Sequence, residues 1–182
     1  ATGLLSQRHA TNPQGYQLSN IYTDANTNEF GFSQWSSNSF LVGTKKGAIG
    51  GSARPLALVT DNIVRMQISE TGVIRRSQPA PVAIDATATL TIANLQAGII
   101  TTATPAAVSL TLPTGTAVTA GFAINADGLT FDWQVINEGS NTATILAATD
   151  HTIRGSAVVA AGTTGVFTTR QSAANTFVTY RS

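Results

Sequence analysis

Cysteine is absent from this chain of 182 residues, which excludes a disulfide framework and any thiolate metal site. Charge is nearly as scarce. Asp, Glu, Lys and Arg together make up 10% of the residues, where a soluble globular chain ordinarily carries about a quarter. Ten basic and nine acidic side chains leave a net charge of +1. That balance exerts no long-range pull on nucleic acid or on an anionic membrane, and neither is expected as a partner. No apolar run approaches the roughly 20 residues of a membrane span. The start, Ala1-Thr-Gly-Leu-Leu-Ser-Gln-Arg-His9, has no basic stretch followed by an apolar one, so it does not read as a secretory signal. An initial Ala is what removal of an initiator Met leaves, and the expectation is a complete chain made in the cytoplasm.

What is present is apolar and uncharged-polar. Hydrophobic residues reach 42%, enough for a real core, and polarity comes from Thr, Ser, Asn and Gln. Ala is abundant but falls in no long 3.6-residue period, whereas Val and Thr favour strands. The expected class is all-β. The stretch Leu56 to Ile74 reads as two short strands meeting at Asp61-Asn62, with a second turn at Glu70-Thr71-Gly72. Alternation puts Val64, Met66 and Ile68 on one face and Arg65, Gln67 and Ser69 on the other. A unit this small buries too little to stand alone in water. Its apolar face must meet another segment or another copy of the chain, and Val64, Met66 and Ile68 are therefore the candidate subunit-interface residues.

Composition shifts divide the chain. Residues 1-20 are polar, carry Pro13 and Gly15, and show no sustained period. They read as an extended arm that orders on a partner. Residues 21-75 form a β-hairpin module, with three aromatics in Glu29-Phe-Gly-Phe-Ser-Gln-Trp35 and a short apolar strand at Ser39 to Gly43. Phe30, Phe32 and Trp35 read as core or inter-chain packing. Residues 76-83, with Pro79 and Pro81, read as a linker. From 84 to 182 short alternating segments recur between Gly and Asn turns, which predicts an antiparallel sandwich or barrel. Within it Leu90 and Ile92 share a face, as do Leu129, Phe131, Trp133 and Val135. Thr114 to Ala123 has room for one short helical turn, and little else reads as helical.

Chemistry-bearing constellations are scarce. His9 and His151 have no metal-ligand partners at a useful spacing, and no carboxylate-rich calcium loop or nucleophile motif occurs. Gly43-Thr-Lys-Lys-Gly47 lacks the spacing of a phosphate loop. Asp150-His151 reads as a solvated turn rather than an acid–base pair. Asp132, Glu138 and Asp150 read as scattered surface acids rather than the two carboxylates of a glycan-cleaving cleft. No catalytic, cofactor-binding or metal-binding residue is assigned; no cofactor is expected, and the chain is not expected to be an enzyme.

Two segments carry resemblances. The run Val64-Arg-Met-Gln-Ile68, followed by a Gly turn and a short apolar strand, resembles a segment found in trimeric fibre and head-surface proteins of tailed bacteriophages. Residues 88–182 are similar to a small all-β domain of phage head decoration, cement and head-fibre proteins, in the order Gly98-Ile-Ile-Thr-Thr, Ser109-Leu-Thr-Leu-Pro113, Phe131 to Asn137, Ala143-Thr-Ile-Leu146, Val166-Phe-Thr-Thr-Arg170 and Thr176-Phe-Val-Thr-Tyr180. The resemblance implies a non-enzymatic virion structural protein on the capsid surface, made in the host cytoplasm. It would bind the major capsid protein as a homotrimer and stabilise the shell. The arm would make the capsid contact through Leu4, Leu5, Tyr16 and Leu18, with Arg8 as its fixed charge. The alternative is a head-fibre or tail-fibre protein that binds host surface glycan through Trp133, Tyr180 or nearby loops.

Overall fold

The computed structural model describes residues 15–182. The chain is all-β, with sixteen strands and two short helices among those residues. It divides between Ser77 and Gln78 into two compact units.

The first unit holds two three-stranded sheets. In one, β1 (Gly15–Tyr22), β2 (Asn28–Ser36) and β3 (Ser39–Lys46) run antiparallel in sequence order. The second comprises β4 (Leu56–Thr60), β5 (Ile63–Ile68) and β6 (Ile74–Arg76), also antiparallel. Two hairpins close through two-residue turns, Ser37-Asn38 and Asp61-Asn62, with positive φ at all four residues. That geometry matches the right-handed strand twist, and Asn and Asp tolerate it best. The expected turn at Glu70-Thr71-Gly72 is also present: Ser69 accepts from the Gly72 N–H at 2.9 Å and its side chain from the Val73 N–H at 2.9 Å.

Two boundaries differ from the sequence reading. Gly15 to Asn20 belong not to an arm but to β1, where Tyr16 pairs with Ser33 and Leu18 with Gly31. Their alternation is a strand signal, masked because the apolar members point away from the sheet's covered side. The stretch 76-83 is likewise not an unstructured linker throughout. Arg76 ends β6, and Val82–Ala83 form β7, paired with Ile100 and Thr101. Gln78 already belongs to the second unit, donating through Nε2 to the Ala97 carbonyl at 2.6 Å.

The second unit contains a six-stranded and a four-stranded sheet. Its elements after β7 are β8 (Ala88–Thr89), α1 (Ile92–Ala97), β9 (Ile99–Thr102), β10 (Val108–Thr111), α2 (Gly115–Phe122) and β11 (Thr130–Asn137). Then come β12 (Ala143–Leu146), β13 (His151–Arg154), β14 (Val158–Val159), β15 (Thr163–Ala173) and β16 (Thr176–Arg181). The sheet orders are β13-β16-β15-β11-β9-β7 and β14-β12-β10-β8. From β7 to β12 the chain alternates between the sheets. Neighbours within a sheet are thus two strands apart in sequence and run parallel: β7, β9 and β11 in one, β8, β10 and β12 in the other. Only β11–β15, β15–β16 and β12–β14 are antiparallel, and β13–β16 is again parallel. The expected wholly antiparallel pairing thus gives way to a mixed one. Hydrophobic alternation reports which side of a strand is buried, not which way its neighbour runs.

Ile92 is the other departure. It opens α1 instead of continuing a strand from Leu90. Thr91 and Asn94 form a reciprocal capping box, and Gly98 closes the helix at φ 75°. The helix is short and half-exposed: Leu95 and Ala97 are buried while Ala93 and Gln96 face outward. α2 falls where one helical turn had room to form, capped by Thr114. Gly115 is obligatory at its start, because a Cβ there would overlap the Asn175 carbonyl.

The core lies between the two sheets. Leu90, Ile100, Leu110, Val135 and Ile145 are fully buried around Trp133, which stacks on Phe167 at a centroid distance of 4.5 Å. A smaller cluster of Val118, Ile124 and Phe177 packs beneath α2, beside the stacked rings of Phe122 and Phe131.

Candidate functional site

The first unit inverts the usual arrangement of apolar side chains. All sixteen buried hydrophobic residues of the described chain lie between Leu90 and Phe177, and none lies in the first unit. Conversely, sixteen of the twenty-one exposed large hydrophobics belong to it. An exposed apolar side chain is ordinary on its own; a contiguous apolar face with nothing beneath it marks an interaction surface.

Cross-strand register identifies that face on the first sheet. Tyr16, Ser33 and Val42 are aligned across the three strands, as are Leu18, Gly31 and Thr44, and Trp35 pairs with Phe40. Cross-strand partners share a side, so these residues all project the same way. Tyr16 is 52% exposed, Leu18 63% and Trp35 56%. The Trp35 and Phe40 rings touch at 5.5 Å between centroids. On the opposite side Phe30 and Phe32 meet edge to face at 6.2 Å and are half-buried.

One end of the exposed face is held by Glu29. It lies in the same row as Lys46 on β3, yet its side chain is almost wholly buried. Its Oε2 accepts from Arg54 Nε at 2.8 Å and from Asn20 Nδ2 at 3.0 Å; Oε1 accepts from the Ser52 N–H at 2.6 Å and Arg54 Nη2 at 3.2 Å. Asn20 is the extra residue at the bulge in β1, where the register shifts between Ser19 and Ile21. The Arg54 guanidinium and the Ser52 amide hold the carboxyl down at about 2, from an ordinary 4.5. The Arg54–Glu29 contact is the only ion pair among the described residues. Gly51, at φ 86°, lets the 47–55 loop come this close, because a Cβ there would overlap the Asn28 carbonyl. Main-chain bonds from Gly47 to Asn28 and from Ile49 and Gly50 to Asn26 complete the loop's attachment. A buried carboxylate with four donors and one cation is a structural clasp. It has no free lone pair aimed at solvent and no second acid beside it.

The expected interface residues of the second sheet need one correction. Val64 and Ile68 are exposed and Met66 is half-buried. They do not share one face. Leu58 pairs with Met66, but Val59 pairs with Val64, so Arg65 is an extra residue in β5. Residues 58 and 59 point to opposite sides, and the bulge therefore carries Val64 away from Met66 and Ile68. The bulge is held by Arg65 Nε donating to Thr60 Oγ1 at 2.8 Å.

Leu4, Leu5 and Arg8, expected to contact the capsid, lie outside the described residues, as does His9. Tyr16 and Leu18 are part of the exposed face of β1. A cleft of about 330 Å³ in the first unit, between the 42–46 segment and Leu56, Ile68 and Glu70, is open to solvent.

The residues weighed for chemistry are dispersed. Asp132 is exposed and accepts from Thr168 Oγ1 at 2.6 Å. Glu138 is exposed. Asp150 occupies a turn at φ 61°. His151 is not solvated, as the sequence suggested, but buried, its Nδ1 2.8 Å from the Pro113 carbonyl and its ring 5.5 Å from Phe177. Burial pushes its pKa below 6.5, against the opposing pull of Pro113 and Asp150. Trp133, weighed as a glycan-stacking residue, is 2% exposed and donates from Nε1 to Thr169 Oγ1 at 3.0 Å, so it belongs to the core. Tyr180 remains exposed. No group of three His, Asp or Glu side chains with metal-site geometry occurs among the described residues. No helix among them is long and apolar enough to cross a membrane.

Set against protein-family models, curated proteins and solved structures, the chain matches none of them.

Proposed function

We propose that this chain is a structural protein of a tailed-phage virion, assembling as a homotrimer through its first unit and decorating the capsid surface with its second. The observation that carries the assembly reading is the first unit's sixteen exposed large hydrophobics and absence of buried ones. At roughly 100 Å² open per side chain, about half of what a large apolar or aromatic residue can bury, they amount to on the order of 1,600 Å². That area is spread over the faces of both sheets, and half of it matches the roughly 800 Å² per partner of a standard interface. The virion setting rests on the resemblances of residues 64–74 and 88–182 to phage head-surface proteins. In this reading capsid attachment belongs to residues 1–14, and three such segments per trimer bind tightly through their high effective concentration.

Light scattering of the purified chain tests the assembly, and a trimer mass is expected. Electron microscopy of the source particle tests the setting. Density on the head surface supports decoration, and density confined to the tail replaces it with the receptor-binding alternative. A monomer at micromolar concentration with no particle density overturns the proposal.

A further inference from the structure

The first sheet's exposed face is not a uniform apolar plane. Its central strand β2 contributes Gly31 and Ser33, which are small. The flanking strands contribute Tyr16 and Leu18 on one side and Val42 on the other, with Trp35 and Phe40 across one end. A Cβ added at Gly31 would meet nothing nearer than the Gly43 carbonyl at 3.9 Å. The face is therefore a shallow trough between two ridges of large side chains. The opposite end is fixed by the Glu29 clasp, which takes up Asn20 at the β1 bulge and draws the 47–55 loop over the trough's margin.

We infer that this trough is closed by the same sheet of a neighbouring copy of the chain, ridge against trough, and that it is the main subunit seam. The inference rests on the self-assembly reading and assigns the seam to β1–β3, not to the Val64–Met66–Ile68 segment, whose bulge splits its apolar residues between two faces. Three features select a second copy as the occupant. The rows from Leu18 to Phe40 carry no charged side chain; in the row at the trough's clasped end Glu29 is neutralised by Arg54 of the same chain, and Lys46 is the one exposed charge. A charged partner thus has a single Lys, at the trough's margin, to pair with, and nothing along its length. Recognition of a sugar needs several fixed polar groups aimed outward, but the Thr44 hydroxyl is spent on the Arg54 carbonyl, which leaves Ser33 as the other hydroxyl among the trough's rows. Finally, a sheet with no buried apolar side chain gains little by folding uncovered. Its cover has to be present at the chain's own concentration, which a copy of the chain guarantees.

The two tryptophans make this testable in the full chain, because Trp35 lies on the trough and Trp133 in the second unit's core. Acrylamide quenching of the wild type minus that of Trp35→Phe isolates the Trp35 signal. Leu18→Lys and Val42→Lys, on opposite ridges, place a charge in the seam without touching the clasp. The expected result is a multimer in which Trp35 is quenched several-fold less than an exposed indole. Either Lys variant should then yield a smaller mass and a fully quenched Trp35, with Trp133 unchanged. A multimer with freely quenched Trp35 overturns the seam while leaving self-assembly intact. A monomer with freely quenched Trp35 overturns both. A monomer whose Trp35 becomes protected only when a host polysaccharide is added makes the trough a sugar site, and the seam assignment fails. As a check on folding, Leu18→Thr, a strand-compatible change of smaller size, should weaken assembly less than Leu18→Lys.

Discussion

The two units solve the problem of holding a β-sheet together in opposite ways. The second packs sheet on sheet, with Trp133, Phe167 and Phe177 sealed from water. The first has well-formed ladders, two tight Asn-containing turns and a polar clasp, but no apolar interior. Hydrogen bonding alone is a weak net source of stability, because water competes for the same groups. Main-chain ladders thus specify the first unit's shape, and in the proposed assembly a partner surface would supply most of its stability. The second unit needs no such help. The contrast teaches that one chain can carry a body built around its own apolar core and a body whose ladders form without one.

The sharpest way to break the comparison is to damage the second unit's interior. Trp133→Ala removes a stacked, enclosed ring and one of the two hydrogen bonds at Thr169 Oγ1, and should cost roughly 3–5 kcal/mol. Thermal melting of residues 78–182, expressed alone, gives the measurement. A cooperative wild-type transition and a sharply lowered variant transition are expected.

The first unit should instead be broken at its clasp. Glu29→Gln removes the charge that Arg54 holds, and Gly51→Ala forces the loop off Asn28. Both should collapse amide-exchange protection in β1 to β3 and leave that of the second unit at wild-type levels. Acid should do the same reversibly. The Glu29 pKa is lower folded than unfolded, so its stabilisation is complete above about 4.5 and disappears as pH falls towards about 2. Trp35 emission followed through that window should shift in the wild type and lose the step in Glu29→Gln.

A milder pH effect distinguishes the second unit. His151 is held neutral by burial, and its folded pKa lies below 6.5. The unfolded chain takes up a proton there that the folded chain resists. Stability of residues 78–182 is thus full above 6.5 and declines as pH drops below it. His151→Gln, which keeps a donor for the Pro113 carbonyl, should flatten that decline in chemical-denaturation midpoints. The smallest effect belongs to Tyr180→Ala on the exposed surface, expected within about 0.5 kcal/mol of wild type by the same measurement.

Much of this architecture could be read from residue order. The turns at Asp61-Asn62 and Glu70 to Gly72 and the β class follow from local chemistry; for α2 the sequence offers room for one turn but does not assign 116–125. Parallel pairing did not show, because strand direction depends on which sheet the chain crosses to, not on alternation. The α1 helix is too short for a 3.6-residue period to declare itself, although Thr91 and Asn94 carry its cap. At the candidate surface, Val64 was misplaced because a bulge is a single extra residue that alternation cannot register. Tyr16 and Leu18 read locally as arm anchors because their partners, Ser33 and Gly31, lie in a different segment. The Glu29 clasp joins residues 20, 29, 52 and 54 through a loop closure that no local motif announces.

The alternation of β7 to β12 between two sheets also sets a timetable. None of those strands pairs with its immediate successor, so in the second unit only the β15–β16 hairpin can form before long loops close. Loop closure of that kind slows folding, whereas two-residue hairpins such as β2–β3 and β4–β5 form in about 1–10 μs. On the ribosome the first unit's hairpins also emerge before the second unit's strands. A nascent chain therefore displays Trp35, Phe40 and Leu58 to its surroundings well before its own C-terminal strands are synthesised. Chains translated side by side from one message are the nearest surfaces those hairpins meet, so the seam proposed above would begin to form there.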